Sequence, residues 1–133
     1  MSTRLRVEIP GEPVAKGRPR TRVVPGAKPF ARIYTPSETI AYEKHVRTLA
    51  QLAVNQQRWA PPKNARFRLL ITVYRTHEGR GGDADNYAKG ISDALNGVAF
   101  EDDRYVRDLA VMLRQDAERP RVVVEVVEIE RAA

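Results

Sequence analysis

The stretch "RFRLLITVY" (residues 66–74) decides the fold. Phe67, Leu69, Ile71 and Val73 recur at every second position, the period of a strand with one buried face. On either side of it helical spacing takes over. Upstream, Tyr42, Val46, Leu49, Ala50 and Ala53 recur at three- and four-residue steps and predict a helix ending near Gln57, ahead of Pro61 and Pro62. "TPSE" (35–38) supplies its start, with Thr35 as cap, Pro36 at the first helical position and Glu38 completing a capping box. Downstream, Tyr87, Ile91, Ala94 and Leu95 form the apolar face of a second helix, with Asp85 as its expected N-cap and Gly97 as its stop.

Further out, "RLRVEI" (4–9) alternates as a half-buried strand, and two more strands fall near 105–114 and 121–130, joined by a turn around "DAERP". "RVVVEVV" from residue 121 is apolar on both faces, which predicts a central strand. Residues 10–35 carry Pro10, Pro13, Pro19, Pro25 and Pro29 and no steady period, apart from a short strand within "FARIYT" (30–35). The order β-α-β-α-β-β over residues 1–133 shows no repeat and no boundary. It predicts a single α+β domain, a mixed sheet of about four strands with two helices packed on it, plus a basic Pro-rich arm at about 10–32.

At 133 residues the chain buries a core without staples. With no cysteine, disulfides and thiolate-zinc sites are excluded, and no window approaches transmembrane length. A soluble, cytoplasmic protein without a membrane partner is expected. The net charge of +6 is unevenly spread: residues 1–80 hold 16 Lys and Arg against 5 Asp and Glu, whereas residues 81–133 hold 7 against 12. A basic surface attracts polyanions, nucleic acid being the commonest. Lys16, Arg18, Arg20 and Arg22 in "KGRPRTR" alternate with small or turn-forming residues, which suits an extended arm following a phosphate backbone. The same run also reads as a solvated loop. Phe30, Tyr34 and Trp59 fit base stacking or, more simply, packing, and His45 and His77 fit the surface.

An acidic cluster in a polyanion-seeking chain needs its own reason, and a divalent cation is the usual one. In "GGDADNYAKG" (81–90), Asp83 and Asp85 stand where the strand gives way to the second helix, behind a Gly-rich loop. Asp85, Lys89 and Asp93 are each four residues apart and share one helical stripe. "EDD" (101–103) precedes the next strand. Magnesium takes oxygen ligands and keeps several waters, so two or three carboxylates suffice. Two histidines and no cysteine disfavour zinc. An EF-hand fails as well, because loop positions five, six and twelve would be Tyr87, Ala88 and Ala94. Singly, each feature also reads as ordinary structure: a helix cap, a solvated face of ion pairs, an exposed turn. Together they favour a metal site.

"DADNYAKGISDALNGVAFEDDRYV" (83–106) resembles the core of the RusA-type Holliday-junction resolvases. The shared pattern is D-x-D-N, a lysine, D-A-L and D-D-x-x-V, standing here as Asp83–Asn86, Lys89, Asp93–Leu95 and Asp102–Val106. "IPGEPVAKGRPRTR" (9–22) and "IYTP" (33–36) resemble members of the phage and prophage type, with an arm longer than in the bacterial branch. The resemblance implies a homodimeric endonuclease that cuts four-way DNA junctions with Mg²⁺ or Mn²⁺ and no small-molecule cofactor. By it Asp83, Asp85 and Asp103 are the catalytic metal-binding carboxylates, Asp102 being able to stand in for Asp103, and Lys89 is an essential basic residue beside them. A junction-binding protein that does not cleave is the alternative, which intact carboxylates argue against.

Overall fold

The computed structural model describes residues 3–16, 20–24, 30–34, 37–79 and 81–131. The four-stranded sheet has the order β1-β6-β4-β5, built from β1 (Arg4–Pro10), β4 (Ala65–Arg75), β5 (Val106–Gln115) and β6 (Arg121–Arg131). β6 lies antiparallel between β1 and β4, while β4 and β5 run parallel. Two helices, α1 (Ser37–Gln57) and α2 (Ala84–Leu95), complete the expected α+β domain.

The alternation of β4 sets the core. Its register lines up three apolar rows across all four strands: Leu5–Val126–Leu69–Leu109, Val7–Val124–Ile71–Val111 and Ile9–Val122–Val73–Leu113. In the first three strands of each row the side chains are sealed from water, closed over by Val46, Ala50 and Ala53 of α1 and Tyr87, Ile91, Ala94 and Leu95 of α2. The rows lose their cover at β5, where Leu109 remains 54 % exposed. β6 occupies the expected interior position. Only Val122, Val124 and Val126 are fully buried, however, because the helices pack on one face of the sheet and leave Val123 and Val127 half-covered on the other. That outer face is an array of charges, with Arg4–Glu125 at 3.2 Å, Arg68–Asp108 at 3.0 Å and the Arg121 guanidinium 3.8 Å above the Tyr74 ring. Such exposed pairs each contribute little to stability.

Three boundaries differ from expectation. The cap of α2 is Asp83, not Asp85, because the Asp83 carbonyl already accepts from the Asn86 and Tyr87 amides at 3.0 and 3.3 Å. Asp85 therefore sits in the first turn, where a carboxylate is favoured by the helix dipole. The stop at Gly97 holds, with a left-handed φ of +79° just past the C-cap Asn96. Thr35 and Pro36 of the capping box lie outside the described residues. Within the proline-rich segment, β2 (Arg20–Val24) and β3 (Phe30–Tyr34) form an antiparallel hairpin, pairing Arg20 with Tyr34 and Arg22 with Arg32. The short strand in "FARIYT" is thus present, and Arg20 and Arg22 lie in a paired strand where a lone extended arm was expected. Arg18 is outside the described residues.

Trp59 belongs to the core: its indole N–H donates to the Ala99 carbonyl at 2.6 Å and its ring lies 6.0 Å from that of Phe67. Truncating the middle row, Ile71→Ala, should cost about 2–5 kcal/mol, since the site is closed on every side and cannot collapse. Chemical denaturation monitored by Trp59 fluorescence measures it, and a loss well below that range would mean the sheet centre is loosely packed.

Candidate active site

Parallel strands cannot be joined by a tight turn, so the β4–β5 pair forces the chain to cross over the sheet through α2. The crossover creates a cleft of about 460 Å³ between α2 and β5. One stripe of the helix, Asp85, Ala88, Lys89 and Ser92, forms one wall. Asp103, Leu109 and Val111 form the other. Asp85 and Lys89 are exposed and Asp103 is half-buried, so the polar groups face water over an apolar floor.

The segment after α2 is folded to deliver Asp103. The Gly97 amide donates to the Phe100 carbonyl at 2.8 Å, closing a tight turn, and buried Phe100 packs 5.9 Å from Phe67. Asp102 and Asp103, equivalent in sequence, then have different occupations. The Asp102 carboxylate accepts from the Arg104 amide at 2.9 Å and caps the short 3-10 turn Asp103–Tyr105. Asp103 is the one that lines the cleft. Asp83 is exposed, makes no side-chain cap bond and is not among the lining residues. Among the described residues no three acidic or histidine side chains stand close enough to hold a metal ion together. The hard oxygen donors around the cleft are Asp85 and Asp103. Two carboxylates suit a magnesium-like cation that keeps most of its water, so the donor set fits. His45 and His77 are exposed and neither lines the cleft.

Residues 11–16 form a strap that holds this corner together. The Gly11 amide donates to the Pro120 carbonyl at 3.0 Å, and the Glu12 carboxylate accepts from both the Thr76 amide and hydroxyl just past β4. Lys16 donates its backbone N–H to the Asn86 carbonyl at 3.1 Å. Its ammonium lies 3.0 Å from Glu43 of α1 and 2.5 Å from Asp93 of α2. The Lys16 ammonium is therefore engaged inside the protein, not presented as one of a row of phosphate-binding cations. The Asp93 hydrogen bond, working against partial burial, holds the Lys16 pKa above the usual lysine value. On the alkaline side the stabilisation that this raised value represents is fully present below the usual lysine pKa, neutral pH included, and is lost as pH rises through the raised value.

Two supports of the site escaped sequence reasoning. Glu12 carries no local signal. Arg75 does: it continues the inward parity of β4 and is only 8 % exposed, with its guanidinium reaching the Gly82 carbonyl at 3.4 Å in the loop before Asp83. A charged residue on the buried phase of a strand was the available clue.

Paired carboxylates and an ammonium around one cleft, on a chain of net charge +6, are the equipment of an enzyme that acts on nucleic-acid phosphodiesters. Residues 10–127 match the family Endodeoxyribonuclease RusA, and the chain belongs to that family. It is also similar to the uncharacterized protein YqaN of Bacillus subtilis (strain 168), with 28 % identity over 145 residues, covering 94 % of this chain and 96 % of that protein. Among the described residues no helix is long and apolar enough to cross a membrane.

The strap lies tight against the start of α2, where a Cβ on Gly82 would come within 2.3 Å of the Ala15 Cβ and 3.3 Å of the Asn86 Cβ. Gly82→Ala should push the two segments apart and cost about 1–3 kcal/mol as an overpacking change. Amide exchange of Lys16 and Asn86 should rise with it; unchanged protection at both would show the strap accommodates a methyl group.

Proposed function

We propose that this chain is a metal-dependent, structure-selective endodeoxyribonuclease that resolves Holliday junctions by paired symmetric nicks during DNA recombination and repair. The observation that carries the reading is the cleft in which Asp85, Asp103 and Lys89 converge, in a member of the RusA family. Asp85 and Asp103, with Asp83 from the adjoining cap, would hold Mg²⁺, or Mn²⁺ in its place. When bound, the cation supplies a water of lowered pKa and offsets charge at the scissile phosphate.

This chain's own residues do the rest. The Lys89 ammonium, 65 % exposed on the cleft wall, meets a non-bridging phosphate oxygen and neutralises charge that builds as the phosphorus becomes five-coordinate. Asp85 and Asp103 orient water and cation, and their negative charge sets the protein's demand for a divalent partner. Leu109 and Val111 give the cleft an apolar floor beneath these polar groups. Arg18, Arg20 and Arg22 position the DNA backbone, sequence-independently, beyond the strap.

Asp83→Asn, Asp85→Asn and Asp103→Asn should each reduce cutting of a labelled four-way junction in Mg²⁺ by at least about 10²-fold. Junction binding should persist or tighten, because a repelling charge is gone. Near wild-type cutting by any of the three removes that residue from the site. No cutting by the wild-type chain in Mg²⁺ or Mn²⁺, with intact binding, would favour a junction-binding protein without cleavage.

Two symmetric cuts call for two sites related by the junction's own two-fold axis, so the working form is a homodimer. The edge strand β5 supports this reading, since its apolar row ends are uncovered and its outer backbone edge is unpaired in the sheet order. Its sequence is also self-complementary. Antiparallel pairing about Val111 would set Asp108 against Arg114 and Leu109 against Leu113 across the axis. Sedimentation at micromolar concentration should give about twice the 15.0 kDa monomer, and Leu109→Lys should shift it toward monomer. A wild-type monomer that nicks cruciform DNA only once would sink the resolvase reading.

A further inference from the structure

The Asp93 carboxylate stands between two lysines. Its Oδ2 takes the Lys16 ammonium at 2.5 Å, whereas its Oδ1 faces the Lys89 ammonium at 3.4 Å, beyond a good charge-assisted hydrogen bond. Asp93 and Lys16 are about three-quarters buried, so this carboxylate is poorly hydrated and holds its counter-ion strongly. Lys89 lies one turn earlier on the same face of α2 and is, among the described residues, the lysine that lines the cleft. It has two possible occupations, the carboxylate behind it and the phosphate in front of it.

We propose that Lys16 is a positioning residue that occupies Asp93 and thereby leaves the Lys89 ammonium free to serve the cleft. The inference rests on Lys89 acting at the cleft as described under Proposed function. The backbone is built for the contact. The Lys16 amide is fixed on the Asn86 carbonyl, and the residue lies directly over Gly90 of α2. Glu43 holds the ammonium from the α1 side at 3.0 Å, so Lys16 is clamped between both helices. Remove its charge, and among the described residues Lys89 is the cation left within ion-pair distance of the Asp93 carboxylate, the nearby Arg47 guanidinium being held on the Asp93 and Asn96 backbone carbonyls; the flexible lysine stem then turns back along the helix. The strap leading to the basic hairpin is in this way coupled to the cleft through one carboxylate.

The test is a set of variants assayed for single-turnover junction cutting beside wild type, with junction affinity measured across a salt series. Lys16→Met should lower the cutting rate about ten-fold, a part of what losing Lys89 itself would cost, and any flattening of the slope of log K against log salt that comes from Lys89 leaving the phosphate should be reversed by adding Asp93→Asn. Lys16→Arg should retain the wild-type rate. Asp93→Asn alone should cut at least as well as wild type. The Lys16→Met/Asp93→Asn pair should recover most of the lost rate, because the competing carboxylate is gone. If Lys16 were a phosphate contact, its loss would flatten the salt slope by about 0.9 and the second substitution would restore neither the slope nor the rate. If Asp93 were a working member of the site, Asp93→Asn alone would be slow. Either result overturns the proposal. An independent readout is the order parameter of the Lys89 side-chain ammonium by NMR, which should rise in Lys16→Met and fall again in the pair. No change there also overturns it. A wild-type chain that fails to cut would count against the nuclease reading, whereas the Lys89 order parameters would still decide the role of Lys16.

Discussion

Everything at the candidate site depends on the parallel pairing of β4 with β5. An antiparallel neighbour could have followed after a two-residue turn, and nothing would then have stood over that edge of the sheet. A parallel neighbour obliges the chain to return to the starting end, and α2 makes the return trip. The helix so placed carries Asp85 and Lys89 on one stripe, and the turn that ends it delivers Asp103 to the opposite wall. The cleft is therefore a consequence of topology first and of side-chain choice second. The apolar rows that define the core also extend into its floor as Leu109 and Val111, so fold and site share residues and a packing change in one is felt in the other.

Much of this was legible in the sequence. β4 announced itself through strict alternation, α1 and α2 through helical spacing, and the mixed sheet followed from the order of elements. Asp85, Lys89 and Asp103 were legible as candidates as well, because carboxylates behind a Gly-rich loop call for a reason in a basic chain, and the structure puts these three around one cleft. What the sequence did not disclose had physical reasons. The β2–β3 hairpin is short and set among prolines, so its alternation never runs long enough to stand out. Asp83 and Asp85 both suit a helix start, and the choice between them lies in backbone carbonyl geometry that no composition reveals. Asp102 and Asp103 are likewise separated only by which carboxylate turns back to cap Arg104.

Lys16 shows the limit most sharply. In "KGRPRTR" it looks like the first of a row of phosphate-binding cations, yet its partners, Glu43 and Asp93, lie 27 and 77 residues away. Charge patterning along a chain registers only near neighbours, and a long-range ion pair is invisible to it. The same holds for Glu12 and its Thr76 partner, 64 residues apart. The strap of residues 11–16 consists almost entirely of such distant contacts, which is why it reads as irregular.

The sheet order has a consequence for how the chain is made. β1 and β6, far apart in the sequence, hydrogen-bond to each other, and β6 in turn fills the gap between β1 and β4. Until β6 has been synthesised, Leu5, Val7 and Ile9 lack their sheet partner, and β4 lacks one of its two neighbours. The helices and the β4–α2–β5 unit can gather earlier from contacts closer in sequence, but closure of the sheet waits for β6. A chain that stopped before β6 would keep the cleft residues and lose the strand that joins the two halves of the sheet. The contacts that close the sheet span the most sequence, so they are expected to be the slowest to form.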